Sequence, residues 1–187
     1  MRKRTRKKDG IDASQNGSCA RDFPVYSQIA EVKGPWTVHF DPKWSGPESV
    51  EFSELVDWTT RPEEGIKYYS GKATYETTFE LETPANDPPS GIHLNLGELS
   101  NGAEVRRNSK DLGVHWTRPF RVDISAAAKS GRNDLEIDII NLWQNRLIGY
   151  AHLLSEKWFC KTNVRNFTSD HPLLPSGLLG PVLVESA

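Results

Sequence analysis

Residues Asn101–Gly149, NGAEVRRNSKDLGVHWTRPFRVDISAAAKSGRNDLEIDIINLWQNRLIG, decide how this chain folds. Ala103, Val105 and Arg107 fall on one strand face that stops at an Asn108–Lys110 turn, and Leu112 and Val114 continue on the far side. Phe120, Val122 and Ile124, then Leu135, Ile137 and Ile139, repeat the same period of two. Between them Ser125–Lys129 reads as a single helical turn, with Ser125 as its cap and Asp123 satisfying its start. The stretch ends in Asn141–Arg146, a loop rich in amide, indole and guanidinium groups.

Outward from this stretch the alternation persists. Trp36, Val38 and Phe40 form one strand face, and Val50 and Phe52 another. Gly71–Leu81 is the longest clear strand, with Ala73, Tyr75, Thr77, Phe79 and Leu81 on one side. Ile92, Leu94 and Leu96 follow a turn-rich Pro84–Gly91 connection. Leu179–Val184 closes the series, with Pro181 suiting a sheet edge. His39 and His93 fall opposite their apolar neighbours, on a polar face. Eight or nine short strands without a long amphipathic helix predict an all-β fold, a jelly-roll β-sandwich. Its expected span is residues 31–187, preceded by a disordered basic tail and lead-in over residues 1–30.

Charge is unevenly distributed. Six of the 23 basic residues fall in the first eight positions, which leaves residues 9–187 with a net charge of −8. The acidic body argues against nucleic acid as a partner, although the tail alone could touch an anionic surface. No apolar run approaches the roughly 18 residues that span a bilayer. The segment Asp9–Arg21 has no apolar core, so no signal peptide is read in the chain as written. Cys19 and Cys160 do not establish a disulfide framework or a compartment. Asn16-Gly-Ser18 and Asn166-Phe-Thr168 match the short glycosylation sequon.

Glycoside hydrolysis needs two carboxylates flanking one bond. Asp57, Glu63, Glu64, Glu98, Glu104 and Asp123 are available, but nothing in their order pairs any two, and solvated or turn-capping roles account for each. The five histidines show no ligand spacing, and there is no G-x-S-x-G elbow or phosphate-binding glycine loop. No catalytic residue, metal ligand or cofactor is therefore assigned, with loop-bound calcium kept as the one admissible ion. Binding chemistry is better represented. Sugars are held by amide and guanidinium hydrogen bonds to hydroxyls, with an aromatic ring against the C–H face. Asn141, Trp143, Asn145 and Arg146 supply that set, and Trp116 with Arg118 forms a second candidate group. The competing reading has Trp143 as a core lid, and Asn141 and Asn145 satisfying turn backbone. Trp36, Trp44, Trp58 and Trp158 are read as core or interface aromatics.

The course NGAEV, LG, PFRVDIS and GRNDLEIDIIN resembles the sugar-binding sandwich of glycoside hydrolase family 2. Gly34–Pro47, Asp57–Phe79, Asn141–Gly149 and Pro172–Val182 narrow the resemblance to the C-terminal sandwich, galactose-binding-like, of the family 106 α-L-rhamnosidases. That resemblance implies a non-catalytic accessory module, because the family's catalytic carboxylates lie in a preceding barrel. It also implies a carbohydrate partner, a rhamnose-containing glycan, and a catalytic barrel domain in cis or trans, and a free-standing carbohydrate-binding module is the alternative. Asn141, Trp143, Asn145 and Arg146 would then form a rim facing sugar or barrel. Tyr150 stands where the family leads one to expect an acidic residue, and Ala151–Asp170 departs from the family pattern. The basic run stands where barrel or linker sequence is expected, as in a truncated reading frame. Relatives of this kind are usually secreted or periplasmic; the compartment of this chain is not assigned.

Overall fold

The period-two pattern resolves into antiparallel sheets whose apolar faces meet in one core. The structure, a computed structural model, describes residues 24–82, 91–127, 129–163 and 166–187. Strands are numbered along the chain. Among the described residues, one sheet has six strands, in the order β3 (Val50–Phe52), β2 (Trp36–His39), β4 (Lys72–Leu81), β10 (Gly131–Ile140), β7 (Gly102–Arg107) and β8 (Lys110–His115). The other has four: β1 (Ser27–Glu31), β12 (Leu183–Ser186), β5 (Ile92–Asn95) and β9 (Arg121–Asp123). A short ribbon pairs β6 (Glu98–Leu99) with β11 (Leu178–Gly180). The chain crosses between the two sheets from β4 to β5, from β8 to β9 and from β9 to β10, which wraps it as a jelly-roll sandwich.

The long pair β4 and β10 forms the spine, in register from Gly131 opposite Leu81 to Ile140 opposite Lys72. Leu135, Ile137 and Ile139 face inward with Ala73, Tyr75, Ala103 and Val105, and meet Leu94, Val122 and Val184 of the other sheet. Each fully buried large aliphatic side chain contributes about 1.5–3 kcal/mol. Trp58 is buried in the same core, with Nε1 donating to the Tyr75 hydroxyl at 2.6 Å. Its ring lies parallel to Tyr75 and edge-on to Phe40 and Tyr69. Burial pushes the Tyr75 hydroxyl well above its ordinary range, so it stays protonated.

The outward face of the six-stranded sheet is charged. The Asp138 side chain is nevertheless enclosed, by Lys72 Nζ at 2.7 Å, Thr74 Oγ1 at 2.5 Å and Arg106 Nη2 at 2.7 Å. Arg106 also binds Glu136 across the β7–β10 pair. Burial works to raise the Asp138 carboxyl, but hydrogen bonds from Lys72, Thr74 and Arg106, with the Lys72 charge, outweigh it and hold it low. A depressed carboxyl contributes stability that is complete above its unfolded value of about 3.9 and is lost as pH falls through the folded value. Urea denaturation from pH 7 to pH 2 should therefore show a loss at the acid end that is smaller in Asp138→Asn, which should also be less stable at pH 7.

Several expectations are refined. Ser27–Glu31, read as lead-in, is an edge strand: β1 pairs with β12 from Ser27 opposite Ser186 to Glu31 opposite Leu183. Its polar composition suits an edge exposed on one side. The predicted last strand is two strands, because Pro181 offers no N–H and interrupts the ladder between β11 and β12. Nor is its C-terminal half at an edge, since β12 lies between β1 and β5. The Asn108 turn is a two-residue hairpin with Asn108 and Ser109 both at positive φ, as the right-handed strand twist favours. Ser125–Ala127 is a 3-10 turn whose Ser125 N–H donates to Asp123 Oδ1 at 2.9 Å, the cap expected of Asp123. Residues 1–23, with the basic tail, Cys19 and the first sequon, lie outside the described residues, as does most of the Pro84–Gly91 connection. No helix among the described residues is long and apolar enough to cross a membrane.

Candidate functional site

The end of β10 delivers Asn141 to a junction built from three distant segments. Its Nδ2 donates to Tyr69 O at 3.0 Å and to Ser176 Oγ at 3.1 Å, and its Oδ1 accepts from Leu142 N–H at 2.9 Å. Asn145, buried, donates from Nδ2 to Leu174 O and Ser176 Oγ, and accepts the Leu174 N–H on Oδ1. Both amides are thus committed to protein. Asn141 and Asn145 hold the loop in place through these bonds, and neither lines the larger cleft described below. Ser176 is the hub, since its hydroxyl also donates to Leu174 O at 2.9 Å and its N–H donates to Asp57 Oδ1 at 3.0 Å. Ser176→Ala removes an acceptor shared by two amides and should cost about 1–3 kcal/mol in urea denaturation.

The segment after Asn141 is not the loop expected throughout: Gln144–Tyr150 forms a short helix, α2. Every residue of it from Asn145 to Tyr150 is buried, and Gly149 packs so close to Tyr68 that an added Cβ would lie 2.7 Å from the ring. Trp143 stands at the helix start and is 60% exposed, which excludes the core-lid reading. Arg146 points the other way along the chain's fold and is 7% exposed. Its Nη1 donates to Ser45 Oγ at 3.0 Å and its Nη2 to Trp44 O at 2.6 Å, while Nε has no hydrogen-bond partner. Burial pulls the Arg146 guanidinium below its ordinary range, partly offset by Tyr150, Tyr69 and Cys160 beside it.

These residues line an open cleft of about 810 Å³. Trp44 and Trp143 lie on its walls with Arg146, Leu147 and Tyr150, and the irregular segment Cys160–Asn163 completes the lining. Trp44, 39% exposed, is delivered by a 3-10 turn over Pro42–Trp44 whose start Asp41 caps through Lys43 N–H. Tyr150 is fixed by stacking on Trp158 and by the Cys160 N–H, which donates to its hydroxyl at 3.2 Å. Trp44, read from sequence as a core or interface aromatic, Tyr150, noted only as replacing an expected acidic residue, and Lys161 were not candidate binding residues. Only Trp44 carried a signal, an indole between Pro42 and Pro47 in a turn.

The second predicted group lies apart. Trp116 is 74% exposed beyond β8, next to Gly102 at the same end of the sheet, and Arg118 lies 3.9 Å from Glu98. Neither lines the cleft. The carboxylates considered for catalysis are also dispersed. Asp57 and Asp123 cap turns, Glu63 pairs with Arg61, Glu104 lies 3.8 Å from Arg106, and none lines the cleft. Among the described residues no group of three or more His, Cys, Asp or Glu side chains is arranged to hold a metal ion.

Comparison with known proteins relates this architecture to carbohydrate-active enzymes. A rhamnosidase from Novosphingobium sp. PP1Y superposes with a TM-score of 0.81 at 34% identity, over 88% of this chain and 16% of that one. The chain is a glycoside hydrolase-related domain. A protein of Formosa agariphila named as a beta-glucuronidase is 34% identical over 82% of this chain and 15% of its own length. A beta-glucuronidase of Ruminococcus gnavus matches at 26% identity with a TM-score of 0.51, over 64% of this chain and 23% of that one. The domain therefore spans only about a sixth of the first two relatives' length. No family model matches the sequence.

Proposed function

We propose that this chain is the non-catalytic, carbohydrate-associated sandwich of an α-L-rhamnosidase-like glycoside hydrolase of the family 106 kind, and that its Trp44–Trp143 cleft contacts glycan. The observation that carries this reading is the pair of solvent-facing tryptophans on one cleft of about 810 Å³, a volume in the range of small-ligand sites. An indole offers a flat apolar face to sugar C–H groups at little entropic cost. The described lining residues include Arg146, Lys161 and Asn163, groups that bind sugar hydroxyls and oxyanions, which supports a binding role.

Calorimetry of the chain with rhamnose-containing oligosaccharides tests this. Trp143→Ala should weaken binding at least about tenfold while shifting unfolding free energy by less than about 0.5 kcal/mol, as befits an exposed side chain. No heat at millimolar oligosaccharide would sink the reading. A second reading has this end of the sandwich docked on a catalytic barrel in cis or trans. The exposed Trp116, Leu142 and Val114 support it, as does the small share of its relatives that the chain spans. A free-standing carbohydrate-binding module would use the same cleft without such a partner.

A further inference from the structure

We infer that the Trp44–Trp143 cleft recognises an acidic sugar, bearing a carboxylate or a sulfate, in preference to a neutral one. The inference rests on the proposed reading of the cleft as a saccharide site and adds its charge selectivity. The body of the chain from residue 9 onward is acidic by eight charges, yet the described residues lining this cleft include Arg146 and Lys161 and no Asp or Glu. Arg146 is enclosed without a counter-ion: its hydrogen bonds go to two neutral oxygens, on Ser45 and Trp44, and it forms no ion pair among the described residues. The ring of Phe159, 5.0 Å away, offers only a weak substitute.

A buried cation left in this state is costly, and an arriving anion offsets that cost. The guanidinium fork suits planar or tetrahedral oxyanions, and Lys161 adds a mobile second charge. Asn163, on the same lining, has the amide needed for sugar hydroxyls. Glu64 lines only a separate cleft of about 230 Å³ that Arg146 also borders. Arg107, the other buried arginine with an unsatisfied nitrogen, lines neither cleft, so an unpaired guanidinium alone does not explain the placement of Arg146.

Titration calorimetry of the intact chain with glucuronic acid, a galactose sulfate, L-rhamnose and sodium sulfate separates the outcomes. At least one acidic sugar should bind about tenfold or more tightly than rhamnose, with affinity falling as salt rises from about 0.05 to 0.5 M. Lys161→Gln, an exposed change that spares the fold, should weaken the acidic sugar severalfold more than it weakens rhamnose and flatten the salt dependence. Equal or tighter binding of rhamnose overturns the charge selectivity and leaves the saccharide reading standing. Binding of sodium sulfate as tight as the sugar sulfate overturns recognition of a sugar. Absence of binding by all three sugars overturns this inference and the saccharide reading together.

Discussion

Trp58→Ala lowers the stability of the chain by about 3–5 kcal/mol, the range for removing a fully buried large aromatic, read as a shift of the urea midpoint at pH 7. Trp58 has no solvent exposure, and three other aromatic rings lie against it. Truncation leaves a cavity among groups tied into β-strands, which cannot collapse into it. It also removes one of two donors to the Tyr75 hydroxyl, leaving only the Leu178 N–H at 3.3 Å. Gly177 shows how closely this site is filled: at φ +95°, an added Cβ there would sit 2.5 Å from Trp58 Nε1. Because Ser176 precedes that glycine and anchors Asn141 and Asn145, the Trp58 region also supports the segment that leads into α2. Trp116→Ala, at an exposed position, is the control and should change stability by less than about 0.5 kcal/mol. A Trp58→Ala chain with an unchanged urea midpoint would contradict the packing described.

Arg107→Met makes the chain more stable by about 2–3 kcal/mol at pH 7. Arg107 lies on the inward face of β7, fully buried, with no hydrogen bond at Nε, Nη1 or Nη2 and only the Phe79 ring at 5.1 Å. Burial pulls its guanidinium down to about 10, well below its ordinary range. The folded chain therefore binds that proton less tightly than the unfolded chain does. The penalty is constant at neutral pH and shrinks as pH rises above about 10 towards the ordinary arginine range, so this group's contribution becomes less unfavourable with pH. Methionine keeps the length and apolar stem, carries no charge and suits contact with an aromatic ring. Urea denaturation of the two proteins at pH 7 decides the matter, and a loss of stability in Arg107→Met would refute it.

The sandwich was readable from sequence because its strands are long enough to repeat. Ala73, Tyr75, Phe79 and Leu81, or Leu135, Ile137 and Ile139, signal their inward face through local alternation alone. Arg107 obeyed the same register and was placed on the core face despite its charge, which shows that backbone pleat, not side-chain polarity, decided its direction. Ser27–Glu31 left no such mark, since an edge strand with only Ala30 partly buried against the core gains its pairing from Leu183–Ser186, more than 150 residues away. The short α2 was equally hidden, because seven residues give too few turns for a helical period to stand out.

The candidate site divides along the same line. Trp143 and Arg146 were legible as residue types suited to sugars, grouped in one short run. Their different fates were not: Trp143 faces solvent, Arg146 turns inward to hold Trp44, and the neighbouring asparagines bind backbone. By itself the sequence determined an acidic all-β domain with aromatic and guanidinium groups after one strand, because period, turns and charge are local properties of the chain. Only the tertiary structure decided that Trp44 and Lys161 share a cleft with Trp143 and that Arg146 lies in its wall without a counter-ion. That arrangement depends on contacts such as Arg146 Nη2 to Trp44 O, between residues 102 positions apart, which no local pattern encodes.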